Sequence, residues 1–306
     1  MKPKLLLLFI TLIALSSCGV IRFASEERSH AGPAIRPQEY VPQNLVEEHY
    51  YPCSVPGPTQ RRMIVYLPKD YYNNTESYPV FYLLHGARGY ETAWIRFGEV
   101  YQSTDSLWRE GLAEKCIVVM PNVNQYDDDE DYDNARFKDA YESILELDGK
   151  VESAFRRDVV AYVDSVYRTI PDRAHRAVAG LSVGGYQSIF LAANFPGTFG
   201  YVGAMSPYML GISKPGRYRW RFYSCLHPKM ARQYRDYPPY GYYLYASQWD
   251  MMRPSTLKLH YWMNKKGFPH SYSKYPGSHD WPEGWTQEYK DMLQKVFKNE
   301  NPLCNQ

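Results

Sequence analysis

Residues 176–187 read Arg176-Ala177-Val178-Ala179-Gly180-Leu181-Ser182-Val183-Gly184-Gly185-Tyr186-Gln187. An apolar run ends there in Gly-x-Ser-x-Gly, and a helix-forming segment follows at once. This order predicts a sharp strand–turn–helix connection that holds Ser182 in a strained conformation and exposes its hydroxyl. Gly180 and Gly184 suit such a turn because a side chain at either position would crowd the serine backbone. The alternative is a glycine-rich turn in which the serine only caps the helix.

A histidine and a carboxylate follow the serine along the chain. Asp250 comes after the predicted strand at 241–247, and His279 lies in a glycine-containing loop after the last predicted strand. The order Ser182, Asp250, His279 is that of a nucleophile, its orienting acid and its general base. His279 would take the serine proton and return it to a leaving alcohol, while Asp250 would orient the imidazole.

Two other carboxylates compete with Asp250 for this role. Asp280 adjoins His279 in the same loop and would struggle to reach the far ring nitrogen. Asp236 lies within a long excursion rather than directly after a strand. We therefore assign the acid to Asp250.

The apolar run at 78–84 predicts a buried parallel strand, and it leads into His85-Gly86-Ala87. A loop at this point can supply a second donor to the negative oxygen of a tetrahedral intermediate. We assign the backbone N–H groups of Ala87 and Val183 to this oxyanion hole. His85 itself is interpreted as structural.

The remaining pattern predicts strands and helices in alternation, which favours an α/β fold with a mostly parallel sheet. Predicted strands lie at 61–68, 78–84, 117–121, 176–181, 199–206, 241–247 and 271–275, and predicted helices at 99–112, 137–147, 153–168, 184–195 and 254–266.

At these segments the chain resembles the esterase family that contains esterase D, feruloyl esterases, enterochelin esterases and the antigen 85 mycolyltransferases. The matching segments are 79–89, 168–186, 199–206 and 277–281, within a likeness that covers roughly residues 50–298. The resemblance implies an α/β-hydrolase fold, a doubly wound, mostly parallel sheet with helices on both faces. It also implies carboxyl-ester substrates and no cofactor.

By position the resemblance carries over Ser182, Asp250 and His279 as the triad, with Ala87 and Val183 as oxyanion donors. The chain departs from the family in two places. The family's acid loop reads Gly-x-x-Asp, whereas this chain has Ser247-Gln248-Trp249-Asp250, and residues 126–152 look like an insertion.

Length and charge exclude some classes of protein. The 306 residues suit one large α/β domain, with 44% hydrophobic and 22% charged residues. The net charge of +2 comes without a basic stripe, so we expect no nucleic-acid partner. The 30 tyrosines hint at a surface that stacks on sugars or aryl groups, although tyrosine also fills cores.

The N-terminus reads as a bacterial lipoprotein signal. Two lysines precede a short apolar run, and Leu15-Ser16-Ser17-Cys18 resembles a lipobox. We expect residues 1–17 to be removed, Cys18 to be lipidated, 18–45 to form a tether and 46–306 to fold as the domain. This predicts anchoring in the bacterial cell envelope, either in the periplasm or at the outer-membrane surface. An ordinary secretory signal with a chance cysteine is the alternative.

The other four cysteines could form two disulfides in an exported protein, and the sequence leaves their pairing open: Cys53, Cys116, Cys225 and Cys304. Without Cys-x-x-Cys spacing, they do not predict a metal site. The acidic run at 127–133 lacks the ligand spacing of a calcium loop, so we interpret it as a solvated loop.

Residues 207–240 combine many aromatic and basic side chains with one acid, Asp236. They are predicted either to cap the site and bind sugar, aryl or carboxylate groups, or to form a surface excursion packed by its own aromatics.

The expected function is hydrolysis of feruloyl or acetyl esters of polysaccharides by a serine esterase. The alternatives are acyl transfer to a sugar alcohol and a catalytically silent carbohydrate-binding lipoprotein. Nothing in the sequence fixes the oligomeric state.

Overall fold

The structure is a computed structural model that describes residues 40–54, 59–87, 89–123, 150–209, 218–281 and 283–298, with the backbone alone at 218–225 and 283. Its described strands form one sheet: β1 (Leu45–Pro52), β2 (Gln60–Leu67), β3 (Val80–Leu84), β4 (Ile117–Pro121), β5 (Arg176–Leu181), β6 (Tyr201–Met205), β7 (Gly241–Tyr245) and β8 (Ser271–Ser273).

The strand order is β1-β2-β4-β3-β5-β6-β7-β8. The pairs β1–β2 and β2–β4 are antiparallel, and the other pairs are parallel. Parallel strands share a carboxyl edge, so the loops that follow β3, β5, β7 and β8 open on the same side of the sheet. These are the loops that carry the predicted site residues.

The described helices are α1 (Ala93–Arg96), α2 (Val100–Arg109), α3 (Lys150–Phe155), α4 (Ala161–Val166), α5 (Val183–Asn194), α6 (Tyr218–Asp236), α7 (Arg253–Lys265) and α8 (Glu283–Leu293). A π-helical turn at Arg156–Val160 joins α3 to α4.

Helices cover both faces of the sheet, because alternate strand residues point to opposite sides. Ile64 and Phe81 pack in the core cluster that includes residues of α2 and α8. Their strand neighbours Met63 and Tyr82 pack in the cluster that includes α3 and the π-helical turn. Predicted fold class and observed architecture therefore agree.

Two elements differ from the sequence prediction. The strand β1 was not predicted, although it pairs along its whole length with β2. The segment expected to break the pattern at 207–240 contains a 19-residue helix, α6, with Pro228 inside it. The predicted helix at 137–147 lies outside the described residues.

Tyr40 lies in the segment expected to act as a tether, but the structure shows it bonded to the folded domain. The Tyr40 hydroxyl, the Gln43 N–H and the Asn44 side-chain amide all donate to the carboxylate of Asp105, which is buried on α2. The hydroxyl of Tyr66 on β2 donates to the same carboxylate. Asp105 therefore fastens the segment before β1 to the sheet.

Candidate active site

Ser182 stands at the turn between β5 and α5 with φ 52° and ψ −114°, a conformation that L-residues rarely adopt. Backbone bonds hold it there, since its N–H donates to Met205 O at 2.8 Å and its carbonyl accepts from Tyr208 N–H at 2.8 Å. A Cβ at Gly184 would lie 2.4 Å from His85 O, and one at Gly180 would lie 2.6 Å from the Gly184 carbonyl carbon. Both glycines are therefore required by the close approach of backbone to backbone.

His279 connects the serine to the acid. Its Nε2 lies 3.0 Å from Ser182 Oγ, and its Nδ1 lies 2.9 and 3.0 Å from the two carboxylate oxygens of Asp250. Asp250 accepts only, so Nδ1 must carry the proton, and the Nε2 lone pair of the neutral ring faces the serine hydroxyl. The ring is thus set to accept the serine proton.

Asp250 is 4% exposed and receives a second bond, from Met252 N–H at 2.6 Å. The rival carboxylates are engaged elsewhere. Asp280 accepts from Trp281 N–H at 2.7 Å, and Asp236 forms an exposed ion pair with Arg235. Asp250 is therefore the carboxylate that the structure places on His279.

Backbone bonds also join the loop of the acid to the loop of the histidine. Gln248 N–H donates to Tyr275 O at 2.8 Å, and Trp249 N–H donates to Gly277 O at 2.9 Å. These bonds tie the two loops together beside Asp250 and His279.

The predicted oxyanion donors flank the serine. A Cβ at Gly86 would lie 3.5 Å from Ser182 Cβ, so the loop that carries Ala87 lies directly against the nucleophile. Val183 is the first residue of α5, and the helix offers no acceptor to its N–H. The structure thus places the Gly86–Ala87 loop and the first turn of α5 beside Ser182, and the assignment of the Ala87 and Val183 amides as oxyanion donors stays a prediction.

The buried ring of His85 supports this loop. Its Nδ1 lies 2.8 Å from Gly86 O, and its Nε2 accepts from Val123 N–H at 3.0 Å. Burial lowers the pKa of His85 to about 4, so the ring is neutral and Nδ1 donates. In turn, Gln187 on α5 donates to Val123 O at 3.3 Å and to Glu152 at 2.9 Å. His85 therefore has a structural position behind the oxyanion loop.

An aromatic layer backs His279 and was missed by the sequence analysis. Trp285 meets the imidazole edge to face at 5.0 Å, and Trp281 meets Trp285 at 4.9 Å. Trp94 packs on Trp281 from α1. The available signal was the pair of tryptophans four residues apart directly after His279. Beside the nucleophile, an apolar cluster joins Val183, Tyr208 and Met252.

The far half of the 207–240 segment is a packed helix. Leu226 and Met230 on α6 are buried against Ile189 on α5 and Leu259 on α7. Side chains at 210–225, including Cys225, lie outside the described residues, as does the cap surface predicted there.

Several other predictions also lie outside the described residues: the signal at 1–17, Cys18, the acidic run at 127–133 and Cys304. Cys53 accepts from Arg61 and Cys116 is buried in the core, so these two are not joined to each other. Across the part of the chain that the structure describes, no three metal-ligating side chains come together and no helix is long and apolar enough to cross a membrane.

Comparison with known proteins shows the family. The family model described as "Putative esterase" matches residues 57–238, which is more than half of the chain. An endo-1,4-beta-xylanase/feruloyl esterase of Xylanibacter ruminicola is 32% identical over 147 residues, which cover 46% of this chain and 19% of that protein. The match thus spans about a fifth of that longer relative.

Solved structures share the fold. A ferulic acid esterase is 26% identical with a TM-score of 0.66, and the match covers 83% of this chain and 98% of the other. A ferulic acid esterase from the anaerobic fungus Anaeromyces mucronatus, 22% identical, also has a TM-score of 0.66, covering 85% of this chain and 93% of that one. Strand order, a strained serine at the carboxyl edge and the family match agree, and the chain belongs to the esterase family of the α/β-hydrolases.

Proposed function

We propose that this esterase hydrolyses carboxylic esters through an acyl-enzyme, and that its substrates are feruloyl or acetyl esters carried on plant polysaccharide. The observation that carries the proposal is the continuous hydrogen-bonded chain from Ser182 Oγ through His279 to Asp250. A silent binding protein would have no need to hold a serine at φ 52° against a histidine.

Each step can be assigned to residues in this geometry. Ser182 Oγ attacks the ester carbonyl carbon while its proton passes to His279 Nε2, and the carbonyl oxygen becomes negative beside the amides of Ala87 and Val183. The imidazolium is stabilised by Asp250. Collapse of the tetrahedral intermediate breaks the carbon–oxygen bond to the alcohol, which leaves with the proton from Nε2. Water then repeats the sequence on the acyl-serine, releasing the acid and restoring Ser182.

The choice of an aryl acyl group is supported by the surroundings of the site and by the relatives. The Val183–Tyr208–Met252 cluster gives an apolar border beside the nucleophile. The named relatives include a feruloyl esterase, and one solved neighbour holds ferulic acid. These observations favour ferulate over a small acetyl group.

We further propose that the protein acts in the cell envelope, lipid-anchored through Cys18. The support is the lipobox-like sequence and the short apolar run before it. Globomycin treatment of cells should leave the unprocessed precursor, and radiolabelled palmitate should be incorporated into the wild type but not into Cys18→Ala. Equal incorporation into the two proteins would contradict the anchor.

The activity is tested by release of ferulate from methyl ferulate, with p-nitrophenyl acetate in parallel. The full chain should release ferulate, and Ser182→Ala should lose all turnover while keeping its melting temperature within a few degrees. Turnover of the acetate alone would move the substrate to small acyl groups. If Ser182→Ala kept both activities, the proposed mechanism would be wrong. An added sugar acceptor that becomes acylated would show transfer in place of hydrolysis.

A further inference from the structure

Behind the acid of the triad lies a second carboxyl group that the mechanism does not use. Glu288 on α8 is fully buried, and neither of its carboxyl oxygens has a hydrogen-bond partner among the described residues. A buried carboxyl group without a partner is costly, so its presence calls for an explanation. Sequence analysis missed it, although a glutamate between Trp285 and Met292 on the apolar face of a helix is an unusual placement.

Glu288 stands under the turn that carries Asp250. A Cβ at Gly284 would lie 2.1 Å from Ser247 Oγ, so α8 approaches Ser247 closely because position 284 has no side chain. Glu288 follows Gly284 by four residues and therefore shares its helix face. Ser247 is itself fully buried, and its carbonyl accepts from Asp250 N–H at 3.2 Å. One helix face thus supports the turn Ser247–Asp250 from below.

The surroundings favour the neutral acid. Burial raises the pKa of Glu288 well above its ordinary value, and the negative charges of Asp250 and Asp291 add to the rise, while the nearby Ser247 hydroxyl opposes it. Ser247 Oγ and the Glu288 carboxyl stand close but outside hydrogen-bond geometry, so a small adjustment would let the acid donate to the hydroxyl.

We infer that Glu288 is a positioning residue of the triad, a neutral carboxylic acid that holds the Ser247–Asp250 turn against His279 without adding a second negative charge beside Asp250. An ionised glutamate there would repel Asp250 and would make the electrostatic potential at the His279 imidazole more negative. An apolar side chain would leave the buried Ser247 hydroxyl, which has no other partner among the described residues, with no polar group beside it. A neutral acid avoids both.

The inference rests on the proposed triad, so the test uses a readout that does not depend on which ester the enzyme accepts. This readout is the second-order rate at which a fluorophosphonate labels Ser182 in the full chain. Glu288→Gln preserves a neutral polar side chain of the same shape and should label within about threefold of the wild type. Glu288→Met fills the volume without a hydrogen-bonding group and should label at least about tenfold more slowly, because Asp250 shifts.

Asp291→Asn is the matched control. Asp291 lies on the same helix, but it bonds Tyr245 and Lys295 and not the Ser247–Asp250 turn. It should label at the wild-type rate. A Glu288→Met variant that labels as fast as the wild type would show that the side chain only fills space. A Glu288→Gln variant that is as slow as Glu288→Met would show that the charge is required. Either result would overturn the inference.

The neutral state has its own test in protein stability, independent of activity. A carboxyl group protonated in the folded protein and ionised in the unfolded chain makes stability fall as pH rises above the ordinary pKa of about 4.5. The urea midpoint of Glu288→Gln should therefore exceed that of the wild type by an amount that grows from about pH 5 to pH 8. A difference that stays constant over this range would refute the neutral assignment. If the enzyme failed to turn over the tested esters, the proposed substrate would be wrong. The labelling and stability results would still test the role of Glu288.

Discussion

At the scale of single residues, the bond between Asp250 and His279 decides which ring nitrogen carries the proton. Asparagine at position 250 keeps the size of the side chain but offers an amide N–H where His279 needs an acceptor. The imidazole would then take the other tautomer, with its proton facing Ser182. We expect kcat for an aryl ester to fall by about 10²–10⁴ in Asp250→Asn, with KM changed by less than about threefold.

Asp280→Asn provides the control, because Asp280 adjoins His279 but bonds Trp281 N–H. Steady-state kinetics should give a kcat within about threefold of the wild type. Equal losses in the two variants would mean that the acid assignment is wrong.

The sequence predicted the serine, carboxylate and histidine that the structure brings together, and it predicted a structural place for His85 but not its partner or the buried Glu288. A serine between glycines, a carboxylate after a strand and a histidine in a late loop each have a local sequence context that indicates chemistry. Glu288 and His85 act through contacts with residues distant in the sequence, such as Ser247 and Val123. Such contacts join residues far apart in the sequence, so no local pattern of residue types predicts them.

At the scale of elements, the strength of the local sequence pattern explains why the strand β1 was not predicted. The parallel strands β3 and β5 are buried along their whole length and read as continuous apolar runs. The edge strand β1 is partly or fully exposed at every residue except Tyr51, and it contains Glu47 and Glu48, so apolar and polar residues do not alternate clearly along it. In α6, the basic residues and Pro228 obscure the helical pattern in the sequence, although the buried residues of this helix pack against α5 and α7.

The turn at Ser182, between β5 and α5, requires the end of β3 and the start of α5 to approach each other at backbone distance. A methyl group at position 184 would lie 2.4 Å from His85 O and 2.8 Å from Leu84 O, and neither backbone atom can move aside cheaply. We expect Gly184→Ala to destabilise the fold by about 2–4 kcal/mol and to slow phosphonate labelling of Ser182. At Gly197 a Cβ would meet only Tyr237 at 3.8 Å, so Gly197→Ala should cost less than about 1 kcal/mol. Urea unfolding measures both, and similar losses would contradict the packing argument.

Asp105 tests how the N-terminal segment is held. Its carboxylate accepts from Tyr40, Gln43, Asn44 and Tyr66, and an asparagine would turn an N–H group toward one of these donors. We expect Asp105→Asn to destabilise the protein by about 1–3 kcal/mol and to speed proteolysis before β1. Asp70→Asn, at an exposed pair with Lys115, should change stability by less than about 1 kcal/mol. Unchanged protease resistance in Asp105→Asn would contradict the anchoring role.

At the scale of the whole molecule, stability should depend on neutral histidines at two distant places, one buried at His85 and two partly buried at His260 and His270. His85 lies behind the oxyanion loop, while His260 and His270 lie near the edge strand β8. There His270 Nδ1 donates to Phe268 O at 2.7 Å, and His260 Nδ1 donates to His270 Nε2 at 2.8 Å. Asn264 completes the chain by donating to His260 Nε2 at 3.1 Å. Protonation of either ring would place two N–H groups face to face.

Burial lowers the pKa of all three histidines in the folded protein, to about 4 for His85. The unfolded chain therefore binds protons first as the pH falls. The stability contributed by these rings is fully present above about pH 6.5 and is lost as the pH falls toward their lowered folded-state pKa values. Glu288 has the opposite dependence, so the measurement is made in the Glu288→Gln background. The urea midpoint should fall steadily from about pH 7.5 to pH 5, and less steeply when His270→Gln is added. A urea midpoint that rises or stays level as the pH falls would contradict this prediction. It would mean that these rings take up protons in the folded protein without loss of stability, although protonation would break the hydrogen-bond chain.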